Sequence, residues 1–559
     1  MPRNRKIFSA RTIKEWSGGE INARKPSIEM EKWVEARINQ GMITSIDPSD
    51  IPRGALRLAK NARVLFDKTG RRPGTVLFGP SAPDSNAVLK VASLKLPDGS
   101  GHTVRFTKSS LYDLQSGAWD QITGTLNGTD QDRFNVANIF DILVFSNNGA
   151  NPIQVVDFAT KTFGNLGDAK AYRYITPFFN RVVGFAHRGV NEVEVGWSGE
   201  YGSSSSTYKG IDEWDPLVNE TSGSGPLVDS PADLNDFITG GFALTNVMAI
   251  LREKSLWVAV KQPIHTNPFN FYAAVPGIGC DSPNSAKLTS HGLCWLDRRT
   301  RTVYLWNPGS QPEAIGTPIE RTLINNISAP ELVFGSFDPI ENAYSVCIPT
   351  VGSEIVQVWT FYFEEKAWTY NEYPGISSFD DTELLTARTR IDDLVGTIDQ
   401  LIGTIDDLSP IDQAISTRII GRTDGTLVVP DDIADVDAPH GAFGPDPIPY
   451  NTELVSGSFD VPENDIYIAR VVIEYEMHVP GSMEFYYSKN GGVDFTFGKS
   501  FSPTRLHVPQ ILTFTKVIKC RKFAWKLTAS SGHFDILKYE VWVYPSGQSQ
   551  APTQIGRVS

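Results

Sequence analysis

Short runs of strand-forming residues, separated by tight polar turns, recur along much of the chain. Each unit has two such runs around a polar turn and ends on a strand with a bulky apolar residue, as at Trp119, Phe163, Ile315 and Trp368. We count six units, near 87–124, 133–167, 173–215, 243–275, 285–320 and 332–374. A spacing of about 40–45 residues is typical of the four-stranded blades of a β-propeller. Because each blade buries its faces only against its neighbours, the blades must close into a ring.

The rest of the chain also has a β pattern. Residues 417–429 have a strand–turn–strand pattern, and these strands would begin or complete a further blade. After residue 451 apolar and polar residues alternate around a Pro-Gly turn and an Asn-Gly-Gly turn, which is typical of antiparallel strands. We therefore predict an all-β fold, with a propeller of six or seven blades over 61–430 and an antiparallel β-sandwich, or platform domain, over 451–548.

The remaining segments are expected to connect or flank these two domains. Residues 1–60 are poorly periodic and are interpreted as an N-terminal arm, within which 28–38 could form a short amphipathic helix. Residues 431–450 are acidic and rich in proline, and are predicted to be a linker. Residues 549–559 are predicted to be a flexible tail. The Ser/Gly-rich segment 201–236 is predicted to be a long mobile loop.

Residues 391–408 repeat the pattern Ile-Asp-x-Leu-x-Gly-Thr every seven residues, which raises the question of a coiled coil. Gly396 and Gly403 would each cost a helix about 1 kcal/mol relative to alanine. The five aspartates of the run add a further penalty, and two and a half heptads are too short to recover it. An odd period also excludes a strand with one apolar face. We predict a series of ordered acidic turns, and the alternative is a flexible acidic loop.

Composition and motifs limit the functions that the chain can have. Its net charge of −13 argues against a protein that reads nucleic-acid sequence, although DNA could slide past such a surface without sticking. Common catalytic and nucleotide-binding motifs do not occur in the sequence, and the eight histidines lie singly, so we expect no catalytic residues, no cofactor and no metal. The four cysteines are scattered and are interpreted as reduced packing residues. We expect neither a membrane-spanning segment nor a secretory signal.

The run ALRLAKNARVLFDKTGRRPGT at 55–75 resembles the opening of a family of phage proteins, the tail nozzles or tail hubs of short-tailed, podovirus-like bacteriophages. The resemblance centres on Ala59, Asn61, Gly70, Arg72, Pro73, Gly74 and Thr75. Later stretches, among them GIDEWDP, EEKAWTYNEYP and RKFAWKLTASSGHFDI, are similar to the family as well. The family lacks a counterpart of residues 24–54, so the resemblance implies no role for them.

The resemblance implies a β-propeller joined to a β-rich platform in a structural virion protein of the tail. It implies six identical copies around the tail axis, below the portal and adaptor rings, in contact with a tail needle, fibres or spikes. Such a nozzle continues the DNA channel, retains the genome and conducts double-stranded DNA during ejection. The protein would fold and assemble in the host cytoplasm.

A channel of this kind needs a gate, and we predict one in residues 201–230 of the Ser/Gly-rich segment. Tyr201, Tyr208 and Trp214 would supply the bulk that closes the pore. The alternative is an exposed loop that faces solvent or a fibre. An alternative for the whole protein is a propeller-type tail adhesin, or a tail component that binds or cleaves glycans.

Overall fold

The computed structural model describes residues 30–544, except 97–99, 116, 265, 326, 328, 385–414, 461–464 and 504. The acidic repeat at 391–408 and the tail at 549–559 therefore lie outside the described residues, as does most of the first half of the predicted arm. Five strands come first: β1 (Glu31–Arg37), β2 (Leu56–Lys60), β3 (Ala62–Leu65), β4 (Lys68–Arg71) and β5 (Gly74–Leu77).

Four-stranded antiparallel blades follow, each in simple sequential order. Blade one comprises β6 (Lys90–Lys95), β7 (Gly101–Phe106), β8 (Leu111–Gln115) and β9 (Ala118–Ile122). Blade two comprises β10 (Phe134–Ile139), β11 (Ile142–Asn147), β12 (Gln154–Asp157) and β13 (Thr162–Asn165). Blade three comprises β14 (Tyr172–Phe178), β15 (Arg181–His187), β16 (Asn191–Trp197) and β17 (Gly223–Pro226).

Blades four to six continue the same plan. Blade four comprises β18 (Ile238–Leu244), β19 (Val247–Arg252), β20 (Ser255–Lys261) and β21 (Phe269–Pro276). Blade five comprises β22 (Lys287–Thr289), β23 (Gly292–Asp297), β24 (Thr302–Trp306) and β25 (Glu313–Ala314). Blade six comprises β26 (Phe334–Asp338), β27 (Ala343–Pro349), β28 (Ile355–Tyr362) and β29 (Ala367–Pro374).

The seventh blade closes the ring with strands from two distant parts of the chain. Its inner three strands are β30 (Ile376–Leu384), β31 (Ile415–Arg422) and β32 (Leu427–Asp431), and its outer strand is β5. Val429 pairs with Val76, so an N-terminal strand completes a blade that begins 300 residues later. The prediction of an all-β propeller is confirmed, and within the described residues the number of blades is seven.

Apolar clusters between neighbouring blades hold the ring together. Between blades one and two, the ring centroid of Phe106 lies 5.2 Å from that of Phe134 and 5.3 Å from that of Phe145. Other clusters join blades two and three, three and four, four and five, and six and seven in the same way. Burial of each large apolar side chain contributes about 1.5–3 kcal/mol, and only a neighbouring blade supplies that burial.

The second domain is a sandwich of two β-sheets. Strands β33 (Val436–Asp437) and β34 (Ile448–Pro449) pair with each other in a separate two-stranded sheet before it. The remaining strands of the sandwich are β35 (Thr452–Ser456), β36 (Phe459–Asp460), β37 (Ile466–Val479), β38 (Met483–Ser488), β39 (Thr496–Phe501), β40 (Gln510–Cys520), β41 (Lys522–Ala529) and β42 (His533–Tyr544). One sheet has the order β3-β4-β42-β37-β40, with β1 also paired to β42. The other sheet continues from β29 of blade six through β2, β35, β41 and β38 to β39. Phe485 packs on Phe514 and Trp525 packs on Tyr539 between the two sheets.

The described part of the predicted N-terminal arm packs into the sandwich, where strands β1 and β2 pair with β42 and β35. Residues 28–38 were a candidate for a short amphipathic helix, but Glu31–Arg37 is strand β1 and pairs with β42. The predicted linker 431–450 carries strands β33 and β34, and its Asp437 is buried. The pairing partner of each strand decides whether these segments form strands, and the local composition of a segment does not reveal that partner.

Helices are short in the described part of the chain. One α-helix, α1 (Glu320–Asn325), follows the 3-10 turn Thr317–Ile319, and three further 3-10 turns lie at Pro231–Asn235, Pro283–Ser285 and Pro330–Leu332. Among the described residues, no helix is long and apolar enough to cross a membrane.

All four cysteines, Cys280, Cys294, Cys347 and Cys520, are free and buried. Burial raises the pKa of Cys347 to about 12, which keeps its thiol protonated at neutral pH. They are packing residues, as the sequence indicated.

Candidate functional site

The residues that carry the family resemblance meet where the propeller joins the sandwich. Asn61 lies between β2 and β3 in the left-handed region, with φ +50°. Its backbone N–H donates to the Tyr370 carbonyl of blade six at 2.7 Å, and its side-chain Nδ2 donates to the Asn451 carbonyl at 2.8 Å. Its Oδ1 accepts the backbone N–H of Glu372 at 2.8 Å. One asparagine thus connects the outer strand of blade six to the start of the sandwich.

Arg72 is buried at the same joint and is bound on every side. Its Nη1 and Nη2 donate to the two carboxylate oxygens of Asp437 at 2.9 and 2.6 Å, and both side chains are 1% exposed. The guanidinium lies between two aromatic rings, 3.9 Å from the centroid of Tyr373 and 3.7 Å from that of Tyr450. Burial is the largest single effect and opposes the charge, but the attraction and hydrogen bonds of Asp437, together with Tyr373 and Tyr450, outweigh it and raise the pKa of Arg72 above its usual value.

Two glycines of the motif are required by close contacts. A Cβ at Gly70 would lie 2.0 Å from Oδ1 of Asp535 and 2.6 Å from the Phe534 carbonyl oxygen. A Cβ at Gly74 would lie 2.3 Å from the Val436 carbonyl oxygen. No side chain fits at either position, so β4 can pair closely with β42 and β5 can lie close to the segment 431–450. The motif is therefore the structural joint between the two domains.

A cavity of about 110 Å³ lies on the propeller axis, at the end where the inner strands begin. All seven inner strands contribute to its wall. Residues on its wall include Lys90, Arg133, Tyr174, Thr239, Lys287, Phe334 and Asp380.

Three cations and one carboxylate share this cavity. Lys90 forms an ion pair with Asp380, whose other oxygen accepts the backbone N–H of Val91 at 2.8 Å. Arg133 donates to the Ser377 carbonyl, and its buried Nε has no hydrogen-bond partner among the residues that the structure describes. The neighbouring charge of Lys90, together with burial, lowers the pKa of Lys287 to about 8. The excess of positive charge makes the cavity able to attract a small anion.

Replacing Lys287 with methionine is expected to stabilise the protein at pH 7 by about 1–2 kcal/mol, because it removes a cation that lies beside Lys90. The pKa of Lys287 in the folded protein, about 8, lies below the usual 10.5. Between pH 8 and 10.5 the unfolded chain therefore binds more protons than the folded protein does. The free energy of unfolding of the unmodified protein should therefore rise with pH from 8 to 10.5, and the advantage of the variant should shrink over that window. Denaturant unfolding of both proteins at pH 7, 9 and 10.5 measures this, and an advantage that does not change with pH contradicts it.

The segment 201–236, predicted to be a long mobile loop, contains hydrogen-bonded turns and one strand in the structure. Serine side chains fix its turns: Ser206 Oγ accepts the backbone N–H of Gly210 at 2.7 Å and Ser204 Oγ donates to Glu213 at 2.8 Å. Farther along, Gly223–Pro226 is the outer strand of blade three. The Ser/Gly content of the segment supplies these local hydrogen bonds and tight turns, and its mobility stays a prediction.

The three predicted gate residues lie together on blades two and three. Trp214 is buried and packs on Tyr172, with ring centroids 5.7 Å apart. Tyr201 stacks on Phe140 at 4.1 Å, and Tyr208 packs on the same apolar cluster. Trp214 is therefore anchored in the core of this segment, and the two tyrosines are the more accessible members. Their role as a gate stays a prediction.

A group of polar side chains that the sequence did not indicate lies on the sandwich. Glu476 and His478 of β37 converge with His507, and one ligand atom from each lies within 4.8 Å of the others. The eight histidines lie singly in the sequence, but the fold brings three of them together, because His507 and His533 both lie beside His478. The spacing Glu-x-His in a strand was the one available signal, since residues two apart share a face.

Comparisons with known proteins place this chain in no family. No family model matches it, and no curated protein sequence matches it. Among solved structures, virginiamycin B lyase from Staphylococcus aureus is 8% identical, with a TM-score of 0.34 over 54% of this chain and 88% of that one. A streptogramin B lyase is 11% identical, with a TM-score of 0.36 over 64% of this chain and 97% of that one. The extracellular domain of a hybrid two-component system from B. thetaiotaomicron is 12% identical, with a TM-score of 0.37 over 65% of this chain and 40% of that one.

Proposed function

We propose that this protein is a structural subunit of a phage tail, a nozzle or hub that forms a ring of six around the DNA path. The observation that carries the proposal is the joint between propeller and sandwich. The residues that resemble the nozzle family are those that build this joint, among them Asn61, Arg72 and Gly74. The resemblance thus falls on side chains that determine a two-domain architecture.

The mechanical properties of the chain support the same role. A ten-stranded sheet extends from blade six into the sandwich, and the pairing of Lys60 on β2 with Tyr370 on β29 joins its two parts. The domains are therefore coupled through the backbone as well as through Arg72. A conduit that holds packaged DNA needs rigid subunits of this kind. Each subunit carries a net charge of −13, and an acidic wall repels phosphates and lets DNA pass without binding.

The proposal makes a direct prediction for the assembled state. Purified with the adaptor ring of the same phage, the protein should form a particle with six copies, measured by native mass spectrometry and imaged by electron microscopy. The ring should enclose an open passage wider than duplex DNA, separate from the 110 Å³ cavity of each propeller. A protein that stays monomeric in the presence of the adaptor and in assembled virions contradicts the proposal.

A second candidate function is a propeller-type tail adhesin that binds anionic glycans. The observation in its favour is the cavity with Lys90, Arg133 and Lys287, whose positive charge is unusual in so acidic a chain. Binding to host cells that is lost in an Arg133→Met variant would favour the adhesin. Six-fold assembly with unchanged host binding in that variant would favour the nozzle.

A further inference from the structure

Strand β37 presents two potential metal ligands on one face of the sandwich. Glu476 and His478 are two residues apart, so their side chains point the same way. The connection between β39 and β40 brings His507 over them, and the backbone N–H of His507 donates to the Met477 carbonyl at 2.8 Å. His507 has φ +55°, an uncommon conformation for a residue with a side chain. The backbone thus holds this imidazole beside β37.

The distance between the two imidazoles fits a shared metal ion. Nδ1 of His478 lies 3.4 Å from Nδ1 of His507, which is longer than the usual 2.7–3.2 Å of a hydrogen bond. Two nitrogens bound to zinc at about 2.0–2.1 Å in tetrahedral geometry lie about 3.3–3.4 Å apart. The two rings therefore already have the spacing of a pair of zinc ligands.

Asp535 fixes the orientation of the His478 ring through a hydrogen bond with the nitrogen that faces away from His507. Its Oδ2 lies 2.9 Å from Nε2 of His478, so Nε2 carries the proton and the lone pair of Nδ1 faces His507. The carboxylate has room there because residue 70 is glycine: a Cβ would lie 2.0 Å from the Asp535 Oδ1. His533 packs edge-on against the His478 ring, with centroids 5.7 Å apart, and restricts its rotation.

Glu476 completes the set of ligands. Its Oε2 accepts a hydrogen bond from Lys68 Nζ at 3.0 Å, and these two side chains are 18% and 30% exposed. A divalent ion at the imidazoles would compete with the single charge of Lys68 for this carboxylate. Within the described part of the chain, this is the one group of three such side chains whose ligand atoms lie close enough to share an ion.

We propose that His478, His507 and Glu476 bind one divalent transition-metal ion, for which zinc is the best fit. Two imidazoles and a carboxylate suit Zn²⁺ better than Ca²⁺ or Mg²⁺, which prefer oxygen ligands. His507 is exposed, so the fourth position is open to water. The ion ties the connection between β39 and β40 to β37, next to the joint of the two domains.

The test uses the full-length protein without a histidine tag, treated with a chelator and then titrated with Zn²⁺ or Co²⁺. We expect one equivalent to bind by calorimetry, and Co²⁺ to give the visible absorption of a four-coordinate site. His507→Ala and Glu476→Gln should each weaken binding at least tenfold. Asp535→Asn should weaken it about 10–100-fold through the orientation of His478.

Two further variants separate a built site from adventitious binding to surface histidines. Lys68→Ala should bind the metal more tightly, because it frees Glu476, which a merely structural Lys68–Glu476 pair does not explain. His291→Ala removes an exposed histidine elsewhere and should bind as the unmodified protein does. The proposal is overturned if no stoichiometric metal binds, or if His507→Ala binds as tightly as His291→Ala. Circular dichroism checks that each variant is folded.

Discussion

Replacing Arg72 with methionine should destabilise the protein by about 4 kcal/mol, since it leaves a buried carboxylate without its partner. Arg72 and Asp437 are each 1% exposed and make two hydrogen bonds to one another. The variant also loses the bond from Arg72 Nη2 to the Glu372 carbonyl at 2.8 Å. Denaturant unfolding measures the loss, and we expect the propeller and the sandwich to unfold in separate steps.

A matched control lies at the same joint. Lys60 forms an ion pair with Glu372 at 2.8 Å, but the two side chains are 29% and 31% exposed. Lys60→Met should therefore change stability by at most about 1 kcal/mol. The double variant Arg72→Met, Asp437→Leu should recover part of the loss, because it buries no unpaired charge. Equal effects of Lys60→Met and Arg72→Met would show that burial of the pair is not what holds the joint.

Asp380→Asn is the second substitution with a large expected effect, a loss of about 3 kcal/mol. Asp380 is 4% exposed, and its charge faces three cations in the propeller cavity. Burial opposes ionisation, yet Lys90 and Lys287 together hold the pKa of Asp380 below its usual value. Without the carboxylate, the cations repel one another across the start of the inner strands.

Because the cations of the cavity repel one another, the effects of Asp380→Asn and Lys287→Met on stability should not be additive. In a background of Lys287→Met, the cost of Asp380→Asn should fall by at least about 1 kcal/mol, because one of the cations is already gone. Asp130→Asn is the control, since Asp130 pairs with Lys108 on the propeller surface and both are well exposed. It should change stability by no more than about 0.5 kcal/mol. Additive effects of Asp380→Asn and Lys287→Met would contradict an electrostatic origin.

The propeller could be predicted from the sequence because the strands of most blades are neighbours along the chain. Each blade is built from strands that follow one another, so runs of strand formers and the turns between them appear in order along the chain. The strand–turn–strand pattern at 417–429 indicated a further blade, and strands β31 and β32 belong to the seventh. The alternation of apolar residues after 451 likewise reported a sheet with one buried face.

Local sequence could not report pairings between distant strands. Residues 28–38 have the pattern of a short helix, yet Glu31–Arg37 is an edge strand because β42 offers backbone partners from more than 500 residues away. The outer strand of the seventh blade comes from Gly74–Leu77 for the same reason. Ser/Gly-rich composition at 201–236 suggested mobility, whereas the surroundings of each serine determine its hydrogen bonds.

The sequence by itself therefore determined the class of fold and the spacing of the blades, and it indicated that the motif at 55–75 matters. Only the tertiary structure showed what that motif does, because Arg72 finds Asp437 across 365 residues. It alone brought His507 to within 3.4 Å of His478, and gathered Lys90, Lys287 and Asp380 around one axis. Strand patterns depend on neighbours along the chain, while sites depend on atoms that meet only after the ring and the sandwich have closed.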